Sequence, residues 1–151
     1  MNATHLHLMF THLPIVGLGL AILINLYAII NKSNELKKLT LWGYFIIGLF
    51  SIFAYITGDG AEEIIKTYPG INPDSIEIHE HIALLFFIGL MIIAGVSIIG
   101  LYITRKKEIF LKKFNLYLLI ASILLSVLAY QTGSTGGNIR HSEIKQGIYK
   151  K

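Results

Sequence analysis

Four long apolar runs, separated by polar stretches, set the plan of the chain: Leu6–Ile30, Leu39–Thr57, Ile82–Ile103 and Phe114–Gln131. None of them contains Asp, Glu, Lys or Arg. A helix needs about 20 mostly apolar residues to cross a bilayer, so the second and fourth runs are near the minimum. The pattern predicts one all-α domain, an antiparallel four-helix transmembrane bundle. The first run stands where a signal peptide would. No Lys or Arg precedes it, however, and no small-residue cleavage site follows, so it is expected to be a retained helix. Pro14 removes a backbone hydrogen bond inside that helix and is expected to kink it below His12.

The polar stretches carry their own signals. Asp74-x-x-Glu77 reads as a capping box, starting the third helix at about Ser75 and running it to Thr104. Asp59-x-x-Glu62 reads as the start of a short separate helix to about Thr67, stopped by Tyr68-Pro69-Gly70, within an outer loop over 58–78. The stretch 132–151 reads as a tail, Gly-rich at Gly133, Gly136 and Gly137 and then polar.

Charge gives the orientation. Of the 13 Lys and Arg residues, eight lie in the loops Asn31–Lys38 and Thr104–Lys113. By the positive-inside rule these loops are cytoplasmic, so both termini and the 58–78 loop face out. In a bacterial inner membrane that side is periplasmic. The net charge of +4 then reports topology rather than nucleic-acid binding. The composition agrees: 54% hydrophobic and 15% charged is too apolar for an ordinary soluble domain. The chain has no cysteine, which excludes covalent c-type haem, a thiolate zinc site, a Cys-ligated iron–sulfur cluster and disulfides.

The two hairpins resemble each other. His5-Leu-His7-Leu8 and His79-Glu-His81-Ile82 are offset by 74 residues, and Ala54-Tyr55-Ile-Thr57-Gly58 and Ala129-Tyr130-Gln-Thr132-Gly133 by 75. The basic loops fall between them in both copies. This predicts an internal duplication with its axis along the membrane normal. In that register His7 is equivalent to His81, and His5 to His79.

All six histidines, His5, His7, His12, His79, His81 and His141, fall on the outer side of this topology. Imidazole is the commonest metal ligand and titrates near neutral pH. His5 and His12 are two helical turns apart on one face, whereas His7 is rotated about 200° from His5. His12 lies deepest, where an ionisable group is costly unless it is paired or functional. One histidine from each of two opposed helices suits a six-coordinate b-type haem. His7 or His12 with His79 or His81 would be axial, Arg140 would pair with a propionate, and His141 would ligate a second haem or metal. Bis-His ligation favours electron transfer, with a quinone or a small periplasmic redox protein as partner, over stand-alone enzyme chemistry. The rival is a non-haem iron, copper or zinc site that adds Glu62, Glu63, Glu80 and Glu143 to the histidines. A third reading is a non-redox subunit of a larger membrane complex. No nucleotide loop, zincin motif or nucleophile elbow occurs. No charge interrupts a span, which argues against a pump or channel.

The ordered set His5-Leu-His7-Leu-Met-Phe-Thr-His12-Leu-Pro14, Thr57-Gly58-Asp59-Gly60-Ala61-Glu62-Glu63, His79-Glu80 and Gly136-Gly137-Asn-Ile-Arg140-His141-Ser-Glu143-Ile144 resembles a Bacteroidetes-type group of four-span bacterial membrane proteins. That group is similar to the larger domain-of-unknown-function family numbered 2231. The resemblance covers nearly the whole chain and implies the four-helix fold and an inner-membrane location. Position by position it points to His7, His12, His79 and His141, with Glu62, Glu63 and Glu143 beside them. His81 is the less typical position, and His7-Leu8 departs from the His-Pro of the broader family. The repeat thus favours His81 as the partner of His7, and the resemblance favours His79.

Overall fold

A computed structural model describes residues 3–104 and 109–140. It contains four helices in sequence order: α1 (Ala3–Ile30), α2 (Asn34–Ile65), α3 (Pro73–Thr104) and α4 (Ile109–Arg140). α2, α3 and α4 are 32 residues each, or about 48 Å at 1.5 Å per residue. They are therefore longer than a hydrocarbon core of about 30 Å and project beyond it. Each helix packs on its chain neighbours, α4 closes on α1, and α2 touches α4 across the diagonal. Among the described residues α1 and α3 do not meet.

Three expectations change. The segment read as a separate outer helix is the end of α2, which continues through Gly58-Asp59-Gly60 to Ile65. The segment read as a tail from residue 132 is helical as far as Arg140. The third helix is capped not by Asp74 but by Asn72, whose Oδ1 accepts from the Asp74 N–H at 2.9 Å, with Pro73 as its first residue. Proline suits that position because the missing N–H would have no helical partner there. Pro14 is buried inside α1, which runs through it as one helix. At the opposite end, the Ser33 hydroxyl accepts from Leu36 N–H and starts α2 after a tight turn.

Burial reveals the repeat more sharply than the letters do. On α1 the buried residues are Pro14, Leu18, Ala21, Asn25 and Ala28. Phe86, Leu90, Ile93, Ser97 and Gly100, each 72 positions later, are buried on α3. On α2 the buried residues include Lys37, Thr40, Leu41, Tyr44, Ile47 and Ser51. Asn115, Leu118, Leu119, Ser122, Leu125 and Ala129, each 78 positions later, are buried on α4. The two hairpins thus share one burial pattern, in a register of 72 and 78 rather than 74 and 75. A two-residue slip turns a helix by about 200°, so a register that matches similar letters can place equivalent residues on opposite faces.

The outward surface is apolar around the bundle, with Leu23, Tyr27, Ile92, Tyr102, Leu124 and Tyr130 among its exposed residues. All four helices are long and apolar enough to cross a membrane. Helices satisfy their own backbone groups, which a hydrocarbon solvent requires.

Candidate functional site

The open ends of both hairpins converge at one end of the bundle, the histidine end, and the turn 31–33, with the α3 end at Thr104 and the α4 start at Ile109, lies at the other. His7 and His79 are half-buried there, while His5, His12 and His81 are exposed. The corrected register makes His7 and His79 equivalent, replacing the pairing of His7 with His81. Geometry explains His12 as well. It is two residues from the buried Pro14, hence about 200° away from the stripe that faces the core. Depth alone suggested that His12 was a ligand, but its side chain points away from the bundle.

The two half-buried imidazoles are held alike. The Nδ1 of His7 lies 3.0 Å from the Ala54 carbonyl oxygen and 3.4 Å from Thr57 Oγ1. The Nδ1 of His79 lies 2.9 Å from Thr135 Oγ1 and also against the backbone of Thr132. Thr57 donates its own hydroxyl proton to Phe53 O or Ala54 O, and Thr135 donates to Gln131 O or Thr132 O. A carbonyl never donates, so the Ala54 oxygen and the Thr132 backbone oxygen accept from the two rings, with the threonine hydroxyls beside them. Both rings are therefore the Nδ1–H tautomer when neutral, and each Nε2 keeps its lone pair. Among the described residues neither Nε2 makes a hydrogen bond.

Glycines make room for both rings. A Cβ at Gly58 would lie 3.7 Å from His7 Cε1, and one at Gly136 would lie 3.0 Å from His79 Cε1. The pairs Thr57-Gly58 and Thr135-Gly136 are related by the 78-residue register. Sequence reasoning matched Thr57-Gly58 to Thr132-Gly133 instead and so missed Thr135 and Gly136. It also missed a second signal: His7, Pro14, Ala21 and Ala28, like His79, Phe86, Ile93 and Gly100, recur every seven residues along one stripe.

The carboxylates gather differently. Glu62 and Glu80, both beyond the apolar spans, hydrogen-bond to each other, and Lys66 pairs with Glu62. The hydrogen bond with Glu62, then desolvation, pushes the Glu80 carboxyl up to about 7. Glu62 is held below its usual range by the same hydrogen bond and by Lys66. The opposite directions of the two shifts make Glu80 the carboxyl that donates in this pair and Glu62 the one that accepts. Glu63 is exposed. Arg140 is the last residue of α4, with its side chain outside the described atoms, and His141 and Glu143 lie outside the described residues. Among the described residues, no three of His, Asp and Glu converge as a ligand set.

The proton on Glu80 predicts a pH dependence. A carboxyl whose pKa is higher when folded binds its proton more tightly in the folded state. Its contribution is present below the ordinary value of 4.5 and is lost as pH rises toward about 7. Melting of the detergent-solubilised protein should show a Tm component that declines across that window. Glu80→Gln, which keeps a donor toward Glu62, should flatten it, and an unchanged slope would show that Glu80 does not hold this proton.

Residues 3–143 match the model of a family described as a predicted membrane protein, DUF2231. The chain belongs to this family. As a DUF2231 protein with four candidate spans it is membrane-embedded, and its apolar exterior lies against lipid. No curated protein and no solved structure matches this DUF2231 chain.

Proposed function

We propose that this protein is a b-type haem protein of the bacterial inner membrane, in which His7 and His79 would hold the haem iron at a periplasmic histidine end. The observation that carries this reading is the pseudo-symmetric pair of imidazoles on α1 and α3, each fixed through Nδ1 with Nε2 left as a lone pair. α1 and α3 are the diagonal that does not close. A porphyrin supplies four nitrogens and asks the protein for only two, whereas a non-haem centre needs a third or fourth side chain. His79 has Thr135 and His7 has Ala54 as the outer partners that ligating histidines characteristically use.

Bound there, haem would supply a reversible one-electron couple. The chain's own part is to fix both tautomers, to press each ring against a glycine, and to shield one side of the site with the core. The other side opens at the histidine end, where a quinone or a small periplasmic redox protein would meet it. The basic loops, placed in the cytoplasm, put both termini in the periplasm. The protein then acts as an electron carrier or as a subunit of a larger membrane complex.

The test is the visible spectrum of protein purified in detergent, oxidised and reduced. A Soret band with sharp reduced α and β bands is expected, lost in His7→Ala and in His79→Ala and kept in His5→Ala, His12→Ala and His81→Ala. Full retention in both of the first two would overturn the ligand assignment. A colourless protein with stoichiometric iron, copper or zinc would replace haem by a His–Glu metal site.

A further inference from the structure

The most deeply buried polar groups lie in the other half of the bundle, away from the histidines. Asn25, Tyr44, Asn115 and Ser122 are all completely buried. Their hydrogen bonds run in one direction. Asn25 Nδ2 donates to Tyr44 Oη at 3.3 Å and to the Asn115 backbone oxygen at 3.0 Å. Ser122 donates to Leu119 O at 2.9 Å, so its oxygen accepts from the Tyr44 phenol, also at 2.9 Å. Asn115 Nδ2 donates to Leu111 O at 3.0 Å.

These partners fix both amide orientations, because each nitrogen faces a carbonyl. Two acceptors remain, Asn25 Oδ1 and Asn115 Oδ1, and no donor among the described residues reaches either. The other buried hydroxyls of this half are spent. Thr40 donates to Leu36 O, Ser97 to Ile93 O and Thr104 to Leu101 O. A buried acceptor without a donor is rare and costly, so a donor is required from outside the described residues.

We propose that a buried water molecule occupies this site and donates one proton to Asn25 Oδ1 and the other to Asn115 Oδ1, joining the two hairpins. A metal cation would meet the same oxygens but is disfavoured by charge. Lys37 is buried on α2 in this half, and Glu35, the described acid at that end, is exposed and faces Lys38. A second positive charge there would have no carboxylate to offset its desolvation. A neutral donor carries no such cost, and two amide oxygens give it the minimum of partners that buried waters have. The equivalent positions in the repeat, Ser97 and Lys37, offer no such pair of acceptors, so the site belongs to the α1–α4 seam alone.

The test is water-edited solid-state NMR of the full chain in lipid, with labelled asparagine. Early transfer from water to the side chains of both Asn25 and Asn115 is expected, and it should persist in Tyr44→Phe. In Asn115→Leu the transfer to Asn25 should fall severalfold. No early transfer at either asparagine in the unmodified protein would overturn the proposal. So would a signal that vanishes in Tyr44→Phe, because it would trace to the phenol proton. The Tm is expected to be the same in sodium, potassium and choline chloride at equal ionic strength, and a specific rise with one metal ion would make the occupant a cation.

Discussion

Thr135→Val is expected to lower haem affinity by about 10- to 100-fold, the usual range for loss of an outer-shell partner of a ligating histidine. Thr57→Val should cost far less. The difference follows from the hydrogen bonds. His79 Nδ1 lies 2.9 Å from Thr135 Oγ1, a bond that a valine methyl removes. His7 Nδ1 lies 3.0 Å from the Ala54 carbonyl oxygen, which no side-chain change at Thr57 touches, while Thr57 Oγ1 is at 3.4 Å. Without the Thr135 hydroxyl, His79 keeps only its contact with the Thr132 backbone, so its ring is held less firmly in the orientation that leaves Nε2 as the lone pair. Haem titration of the apoprotein in detergent, followed at the Soret band, measures both variants. Equal losses, or none in Thr135→Val, would show that Thr135 does not orient His79. Thr135→Ser keeps the hydroxyl and should recover most of the affinity, which separates orientation from simple loss of packing.

The fold was legible in the sequence because lipid imposes a coarse rule. Runs of about 20 residues without charge have few alternatives to a spanning helix. The extents of the helices were not legible, because the segments that project beyond the membrane contain residues that usually break helices. Gly58, Gly60, Gly133, Gly136 and Gly137 read as loop or tail. In the structure several of them mark close approaches: a Cβ at Gly60 would lie 2.9 Å from Ala3 Cβ, and those at Gly58 and Gly136 would face the histidine rings. Tertiary packing there outweighs a helix propensity cost of about 1 kcal/mol per glycine.

The candidate site was half legible for a related reason. Topology sorted the histidines to one end, but only the rotation of each helix decides which of them look inward. That rotation was encoded in the seven-residue recurrence from His7 to Ala28 and from His79 to Gly100, which the more conspicuous His-x-His doublets obscured. In each doublet the two rings diverge by about 200°, so a doublet cannot present both histidines to one centre. The Asn25–Tyr44–Asn115–Ser122 cluster was hidden for another reason. Its members are uncharged residues scattered over three helices, and nothing local ties them together.

Gly48→Ala is expected to destabilise the bundle by about 1–3 kcal/mol, the range for overpacking a filled interior. A Cβ at Gly48 would lie 2.5 Å from Ala94 Cβ and 3.6 Å from Leu90 O. Ala94 Cβ is attached directly to the α3 backbone and has no rotamer by which to withdraw. Relief therefore requires α2 and α3 to separate, and in lipid such close backbone approach is a large part of what holds helices together. Gly89→Ala is the informative contrast. Its Cβ would lie 2.4 Å from Leu125 Cδ1, an equally short approach, but that atom is the far end of a side chain that can turn away. Its cost should be clearly smaller, and in helix propensity both substitutions gain by a similar amount, so the difference isolates the clash. Unfolding of the two variants in mixed micelles by increasing SDS measures both. Equal stability of Gly48→Ala and the parent would mean that α2 and α3 can separate at no cost. The same contact sits beside the Tyr44–Ser122 bond that ties α2 to α4, so any movement of α2 should also shift the environment of Tyr44. Near-ultraviolet circular dichroism would report that shift in Gly48→Ala and its absence in Gly89→Ala.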